Sequence, residues 1–196
     1  MLRFTHSRRE DFRVMPWKDG GGETTELAIE PSGATVQDAF LWRLSMARVE
    51  RSGPFSRFPG TDRSLLILEG AGMELDLGDG KVSRLMQGDQ SMAFSGDGMT
   101  QGRLLNGPVL DFNLISDRQR LRHRVERRSL KSEAQEISGG PLRFIFCVSG
   151  RVAVEPWTGR LEARELLRVD GEGALSLKAD DHAEVLIVQI EARGQG

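Results

Sequence analysis

Histidine and cysteine, the side chains that most often mount metal or nucleophilic chemistry, are nearly absent: three histidines and one cysteine in 196 residues. His6, His123 and His182 stand far apart and share no ligand spacing, so neither a metal motif nor a nucleophile–base pair can be read from them. The lone Cys147 excludes an intramolecular disulfide, and within the apolar run FIFCV it reads as a small buried hydrophobe. Charge of one sign is lacking too. The 27 Lys and Arg against 29 Asp and Glu leave a net charge of −2, which draws the chain to neither nucleic acid nor anionic membrane. No apolar run approaches bilayer-spanning length, and the opening MLRFTHSRREDFRVMPW has no signal-peptide core. A cytoplasmic address without membrane association is expected.

What is present points to strands. Hydrophobic content of 38% and charged content of 29% suit a globular protein, and 23 glycines favour many turns. The stretch TELAIEP alternates, with Thr25, Leu27 and Ile29 on one face and Glu26 and Glu30 on the other. In LWRLSMARV, Trp42, Leu44 and Met46 oppose Arg43, Ser45 and Ala47. MELDLGDGKVSRL predicts a hairpin whose Asp79-Gly80 supplies positive φ angles, and SLLIL predicts a strand covered on both faces. SGATVQDAF predicts a helix of at most a turn or two. The Gly20-Gly21-Gly22 run lacks the spacing of a phosphate or dinucleotide loop and reads as a tight turn. DRQRLRHRVERRSLK, Asp117 to Lys131, is locally basic, with Arg120, Arg122 and Arg124 on one strand face. Without interleaved aromatics it reads as a solvated strand guarded against edge pairing, and no nucleic-acid partner is expected.

A weak internal repeat is visible. LLILEG ends at Gly70 and FIFCVSG at Gly150, with Gly70 to Gly88 and Gly150 to Gly171 as corresponding intervals. The expectation is an all-β, cupin-like jelly-roll barrel in two tandem halves, a bicupin. Residues 1–116 would form the first barrel, and residues 117–196 a basic connector with a degenerate second half. A single elongated sandwich is the alternative.

The first half resembles the cupins in its glycine skeleton, G-x5-H-x-H-x3-4-E-x6-G followed by G-x5-P-x-G-x2-H-x3-N. With Gly70 closing the first motif, Arg63 stands at the glutamate place. Ser56 and Phe58, or Arg57 and Pro59 with the shorter spacing, stand at the histidine places. Phe94-Ser95-Gly96 replaces P-x-G and Met99 replaces the last histidine. Catalytic metals need three or four converging imidazole or carboxylate donors, so the expected site has no metal and no cofactor.

PWKDGGGETTELAI, WRLSMARVERSGPFSRFPGTDRSLLILEG and NGPVLDFNLI together resemble the HutD/Ves family, most strongly over residues 16–115. Asp19 departs from an asparagine common in that family, adding a carboxylate beside the glycine run. The resemblance implies a cupin-like fold in two halves, an association with histidine utilisation, and binding of a small pathway metabolite that moderates the pathway.

The residues themselves suggest an anion cup. Arg63 can grip a carboxylate through two parallel hydrogen bonds. Arg43 and Ser45 add a charge and a hydroxyl if their face lines the cavity, and Ser56 stands at a former ligand place. Lys18 precedes a turn able to carry it over the mouth. Asp111 and Asn113, opposite Phe112, can orient an amide or imidazole nitrogen. Each has a structural alternative: Arg63 clasping Asp62 or Asp111, Arg43 on a solvated face, Asp111 and Asn113 satisfying loop backbone, Trp17 and Trp42 simply packing. The favoured reading is a metal-independent binding protein for a small acid, with urocanate and the formylated or formiminated glutamates as candidates implied by the family. A metal-free hydrolase, lyase or isomerase using Glu69, Asp111 or Lys18 is the second reading. A scaffold, joined through exposed strands as a homodimer, is the third.

Overall fold

The computed structural model describes residues 1–194. The final two residues of the expected second half, 195–196, lie outside the described residues. The strands through the first part of the chain are β1 (Arg3–Ser7), β2 (Arg13–Pro16), β3 (Gly22–Glu30), β4 (Trp42–Val49), β5 (Gly53–Pro54), β6 (Thr61–Glu69), β7 (Met73–Asp76), β8 (Val82–Leu85), β9 (Met92–Ser95), β10 (Gln101–Leu104) and β11 (Val109–Asp117). There follow β12 (Leu121–Leu130), β13 (Gln135–Ile137), β14 (Leu142–Ser149), β15 (Arg151–Glu155), β16 (Arg160–Glu162), β17 (Leu166–Asp170), β18 (Leu175–Ala179) and β19 (Ala183–Ala192). Apart from one 3-10 turn at Arg9–Asp11, the described residues contain no helix. None is therefore long and apolar enough to cross a membrane.

The chain folds as two compact units, Phe12–Arg122 and Met1–Asp11 with His123–Gly194. In the first, a six-stranded sheet ordered β2-β3-β4-β11-β6-β9 accompanies a four-stranded sheet β5-β10-β7-β8. Their shared core holds Val49, Leu65, Ile67 and Val109 from the larger sheet and Met73, Leu75 and Leu85 from the smaller. Each such fully buried aliphatic side chain contributes roughly 1.5–3 kcal/mol. In the second unit the sheets are β1-β17-β14-β19-β12 and β13-β18-β15-β16, closed over Ile145, Cys147, Val169, Val185 and Ile187 with Val152, Leu161 and Leu177. The N-terminal strand β1 thus lies in the sheet of the late residues, antiparallel to β17.

The two units repeat one strand order. β4-β11-β6-β9 in one matches β12-β19-β14-β17 in the other, and β5-β10-β7-β8 matches β13-β18-β15-β16. The glycines ending β6 and β14 correspond: Gly70 has φ 98° and Gly150 φ 80°, and a Cβ on either would strike the chain entering the next paired strand. The second anchor of the expected repeat does not survive. Gly88 precedes β9, whereas Gly171 follows β17, because the turns between the matched strands differ in length.

Other expectations are corrected as well. The four sheets stay open and separate, so no barrel closes. SGATVQDAF forms turns rather than a helix: Asp38 Oδ2 accepts from both the Thr35 amide and hydroxyl, each at 2.8 Å, local bonds that compete with helical pairing. In TELAIEP a bulge between Glu26 and Ala28 breaks the alternation and leaves Leu27 as the extra residue. The β7–β8 hairpin forms, but the positive φ angles fall on Gly78 and Gly80 rather than on Asp79-Gly80, in a wider turn. SLLIL is buried throughout. β12 lies at its sheet's edge, with Arg122 and Arg124 exposed.

Candidate functional site

The register of the six-stranded sheet sets the side chains in rows. Directly opposed residues share a face, so Arg43–Ile115–Arg63 form one row, Ser45–Asn113–Leu65 the next and Ala47–Asp111–Ile67 a third. This face opens on a cleft of about 620 Å³. Its floor comes from β4, β6 and β11. Its mouth comes from the turn carrying Lys18, Asp19 and Gly21 and from the stretch between Arg51 and Phe58. All seven residues expected at the site, Lys18, Arg43, Ser45, Ser56, Arg63, Asp111 and Asn113, line it. Ser56 and Phe58 do so, while Arg57, Pro59 and Met99 do not, which selects the longer of the two motif spacings.

Arg63 is only 4% exposed. Its Nη1 donates to the Ser56 carbonyl at 3.1 Å, and its guanidinium lies 5.0–5.5 Å from the ring centroids of Phe55, Phe58 and Phe94. Such rings stabilise a cation while keeping water away. Burial pushes its pKa down to about 10, with Asp111 opposing and Arg43 adding to the fall, so the cation persists at neutral pH. The clasp alternatives are not observed. Asp62 bonds to Arg118 instead, and neither Asp111 oxygen receives a hydrogen bond.

Asp111 is fully buried. Removal from water raises its carboxyl to about 7, against the opposing pull of Arg63 and of the Ala47 amide; that amide is close enough to matter but does not reach hydrogen-bond geometry. The Asn113 Oδ1 and the Arg63 Nε–H are also buried without a hydrogen-bond partner. Most buried polar atoms in folded proteins are paired, so four unpaired ones on one cleft floor depart from the usual pattern. Both acceptor residues sit mid-strand, which removes the loop-backbone alternative.

Arg43 is buried rather than solvated, and its Nε donates to Glu26 at 2.7 Å. Glu26 was missed in the sequence because the Leu27 bulge reorients the strand. The remaining polar lining is basic in balance: Lys18, Arg43, Arg51 and Arg63 against Asp19 and Asp111. Arg51, which no motif flagged, donates to the Gly20 carbonyl at 3.0 Å, and the Glu50 amide donates to the Gly21 carbonyl at 2.9 Å. The glycine turn is thereby tied to the mouth, and a Cβ on Gly22 would lie 2.1 Å from the Arg48 carbonyl oxygen. Trp17 packs there as expected, its Nε1 donating to Thr24 Oγ1 at 2.8 Å.

The cleft does not suit a metal ion. Among the described residues no three His, Cys, Asp or Glu side chains converge, and a buried arginine at the former ligand place would repel a divalent cation. The histidines lie elsewhere: His6 beside Glu165 at 2.9 Å, His182 beside Ser129 at 3.0 Å. Glu69 does not line the cleft either. In a smaller depression beside Glu74, Asp76 and Arg103, Glu74 is already paired, Arg84 donating to it at 2.9 Å.

Comparison with known proteins agrees with this picture. A family model described as HutD matches residues 9–187. A Pseudomonas putida protein, described as an uncharacterised 21.2 kDa protein in the hutC 3′ region, is 37% identical over 186 residues, 95% of this chain and 92% of the relative. Protein Ves of Escherichia fergusonii is 36% identical over 110 residues, 54% of this chain and 56% of its own. The solved structure of HutD from Pseudomonas fluorescens SBW25 superposes with a TM-score of 0.82 at 30% identity, covering 98% of this chain and 100% of that one. At the level of fold alone, the bacterial pirin YhhW of Escherichia coli superposes with a TM-score of 0.71 at 13% identity, over 95% and 98% of the two chains. The fold is all-β and cupin-like, and the chain belongs to the HutD/Ves family.

Proposed function

We propose that the cleft binds a small carboxylate-bearing metabolite and that this binding moderates histidine utilisation in the cytoplasm. The observation carrying this reading is the buried Arg63 beside the unpaired Asp111 and Asn113 on one cleft floor. A guanidinium shielded by three aromatic rings holds a carboxylate more strongly than one in water, because the surrounding dielectric is low. The link to histidine utilisation rests on the family's name and on the hutC-region relative. Urocanate, formiminoglutamate and formylglutamate are the ligands to try. In the same reading the two units are tandem cupin-like halves, and the Phe12–Arg122 half carries the binding cleft.

The test is calorimetric titration of the purified protein with each acid, followed by chromatography of the mixture. Saturable binding of an unchanged ligand is expected, weakened at least about tenfold in Arg63→Ala because Arg63 is the buried floor cation not paired to a carboxylate, Arg43 being bonded to Glu26. No heat from any of the three acids would remove the reading. A second reading is a metal-free enzyme in which Asp111, its carboxyl raised to about 7, serves as general acid or base. Conversion of ligand to product, abolished in Asp111→Asn, would establish it.

A further inference from the structure

The polar groups of the cleft floor are sorted along the strands. Arg43 and Arg63 share one row with Ile115, Ser45 and Asn113 occupy the next, and Asp111 stands in the third. First and third rows are four residues apart, roughly 13 Å at the backbone. The long Arg63 side chain shortens the gap that a ligand must bridge. Arg43 is neutralised by Glu26, which leaves Arg63 as the effective cation of that end. Lys18, Asp19 and Arg51 stand exposed at the mouth, and among all these groups only Arg63 acts appreciably on the Asp111 carboxyl.

The unpaired atoms are sorted as well. Around Asp111, once its carboxyl is ionised above about pH 7, they are all acceptors, its two carboxylate oxygens and the Asn113 Oδ1; at the other end the unpaired atom is a donor, the Arg63 Nε–H. A molecule that satisfies both ends must bring an acceptor to one and donors to the other.

We infer that the cleft takes an amphoteric molecule, with its carboxylate at Arg63 and an N–H-bearing amidine or imidazole at Asp111 and Asn113. This rests on the reading above that the cleft binds a small acid. An amidine offers N–H groups on both nitrogens and an imidazole at least one, each directed outward in the ring or group plane. An N-formyl amide keeps a single N–H and sets a carbonyl oxygen where the amidine has its second one, and a phenyl ring offers no donor at all. Leaving buried acceptors unpaired is what makes a polar pocket reject an analogue lacking the donor. Asp111 is therefore a specificity-determining residue.

Two matched pairs of acids test this by calorimetry on the full chain at pH 8, where Asp111 is ionised: urocanate against cinnamate, which replaces the imidazole by phenyl, and formiminoglutamate against formylglutamate. The imidazole- or amidine-bearing member of at least one pair should bind at least about tenfold more tightly. In Asp111→Asn and Asp111→Leu that preference should collapse towards unity while the affinity of the weaker-binding member stays within about twofold, a pattern that general loss of structure would not produce. If a variant fails to fold, the wild-type pairs alone decide. Equal affinities within both pairs, or a preference that survives both substitutions, would overturn the inference and leave the acid-binding reading standing. Binding of none of the four acids would remove both.

Discussion

Asp111 illustrates how one side chain sets conditions for the rest. Its carboxyl stands at about 7 in the fold, against 3.8 as the ordinary value, because burial disfavours the charge more than Arg63 favours it. Below about pH 4 folded and unfolded chains both carry the proton and no penalty exists. Between pH 4 and 7 the unfolded chain releases its proton while the folded chain keeps it, so stability falls as pH rises. Above pH 7 the full cost is present, on the order of 4 kcal/mol for a shift of roughly three units. Asp111→Asn removes the titrating group and should stabilise the protein by a few kcal/mol at pH 8 and hardly at all at pH 4. Urea denaturation of both proteins at the two pH values checks it, and an equal gain at both would show that burial does not set the Asp111 proton affinity. The neighbouring Arg63 was legible in sequence from its place in the glycine skeleton. Its aromatic contacts were not: Phe58 and Phe94 figured there only as replaced motif residues and Phe55 not at all, because the loop before β6 and strand β9 meet only in the fold.

Secondary-structure elements position these groups through a latch that no motif announces. Arg118, just after β11, donates to Asp62, Asp97, the Thr61 carbonyl and Ser95. Asp97 in turn accepts from the Gly60 amide at 2.6 Å, which pins the stretch carrying Phe55, Ser56 and Phe58 around Arg63. The Gly60 amide, then Arg118 and Ser95, hold the Asp97 carboxyl well below the usual carboxylate range. A lowered acid contributes stability above its unfolded value and loses it as pH falls, so the latch is intact across the neutral range. Arg118→Ala should free residues 55–60, weaken acid binding severalfold without touching the floor, and raise amide hydrogen exchange in that stretch. Unchanged exchange there would show that the aromatic packing alone holds it. The hairpin of β7 and β8 and the two-sided burial of β6 followed directly from local pattern. The bulge at Leu27 did not: it is fixed by the pairing of β3 with β4, a relation between strands that alternation within one strand cannot express.

Across the two units the repeated strand order places Arg63 and Arg143 alike, each seven residues before a positive-φ glycine that ends its strand. Register confirms the match: Arg63 opposes Ile115 where Arg143 opposes Gln189, and Asp111 opposes Ile67 where Val185 opposes Cys147. The surroundings have diverged. Arg143 is fully buried, and its two terminal nitrogens donate to the carbonyls of Gly173 at 2.6 Å and Gly171 at 3.0 Å, while the positions of Asp111 and Asn113 are taken by Val185 and Ile187. One arginine closes a turn; the other faces a cleft. Arg143→Ala should therefore cost about 2–4 kcal/mol of stability through a sealed cavity and lost hydrogen bonds, with acid affinity unchanged. Arg63→Ala should do the reverse, since truncation there only widens an open cleft. Thermal melts beside calorimetric titrations separate the two, and equal losses of stability would count against the division of labour.

Alternation, glycine placement and the family's motifs were enough to specify the strands, the cupin-like class and the seven side chains now found in one cleft, because each depends on neighbours in sequence or on a pattern of fixed spacing. The Glu26 partner of Arg43, the aromatic cage of Arg63, the placement of β1 in the late sheet and the open sheets in place of a barrel came only with folding. Each is a relation between strands distant along the chain, set by register and packing that no local spacing encodes.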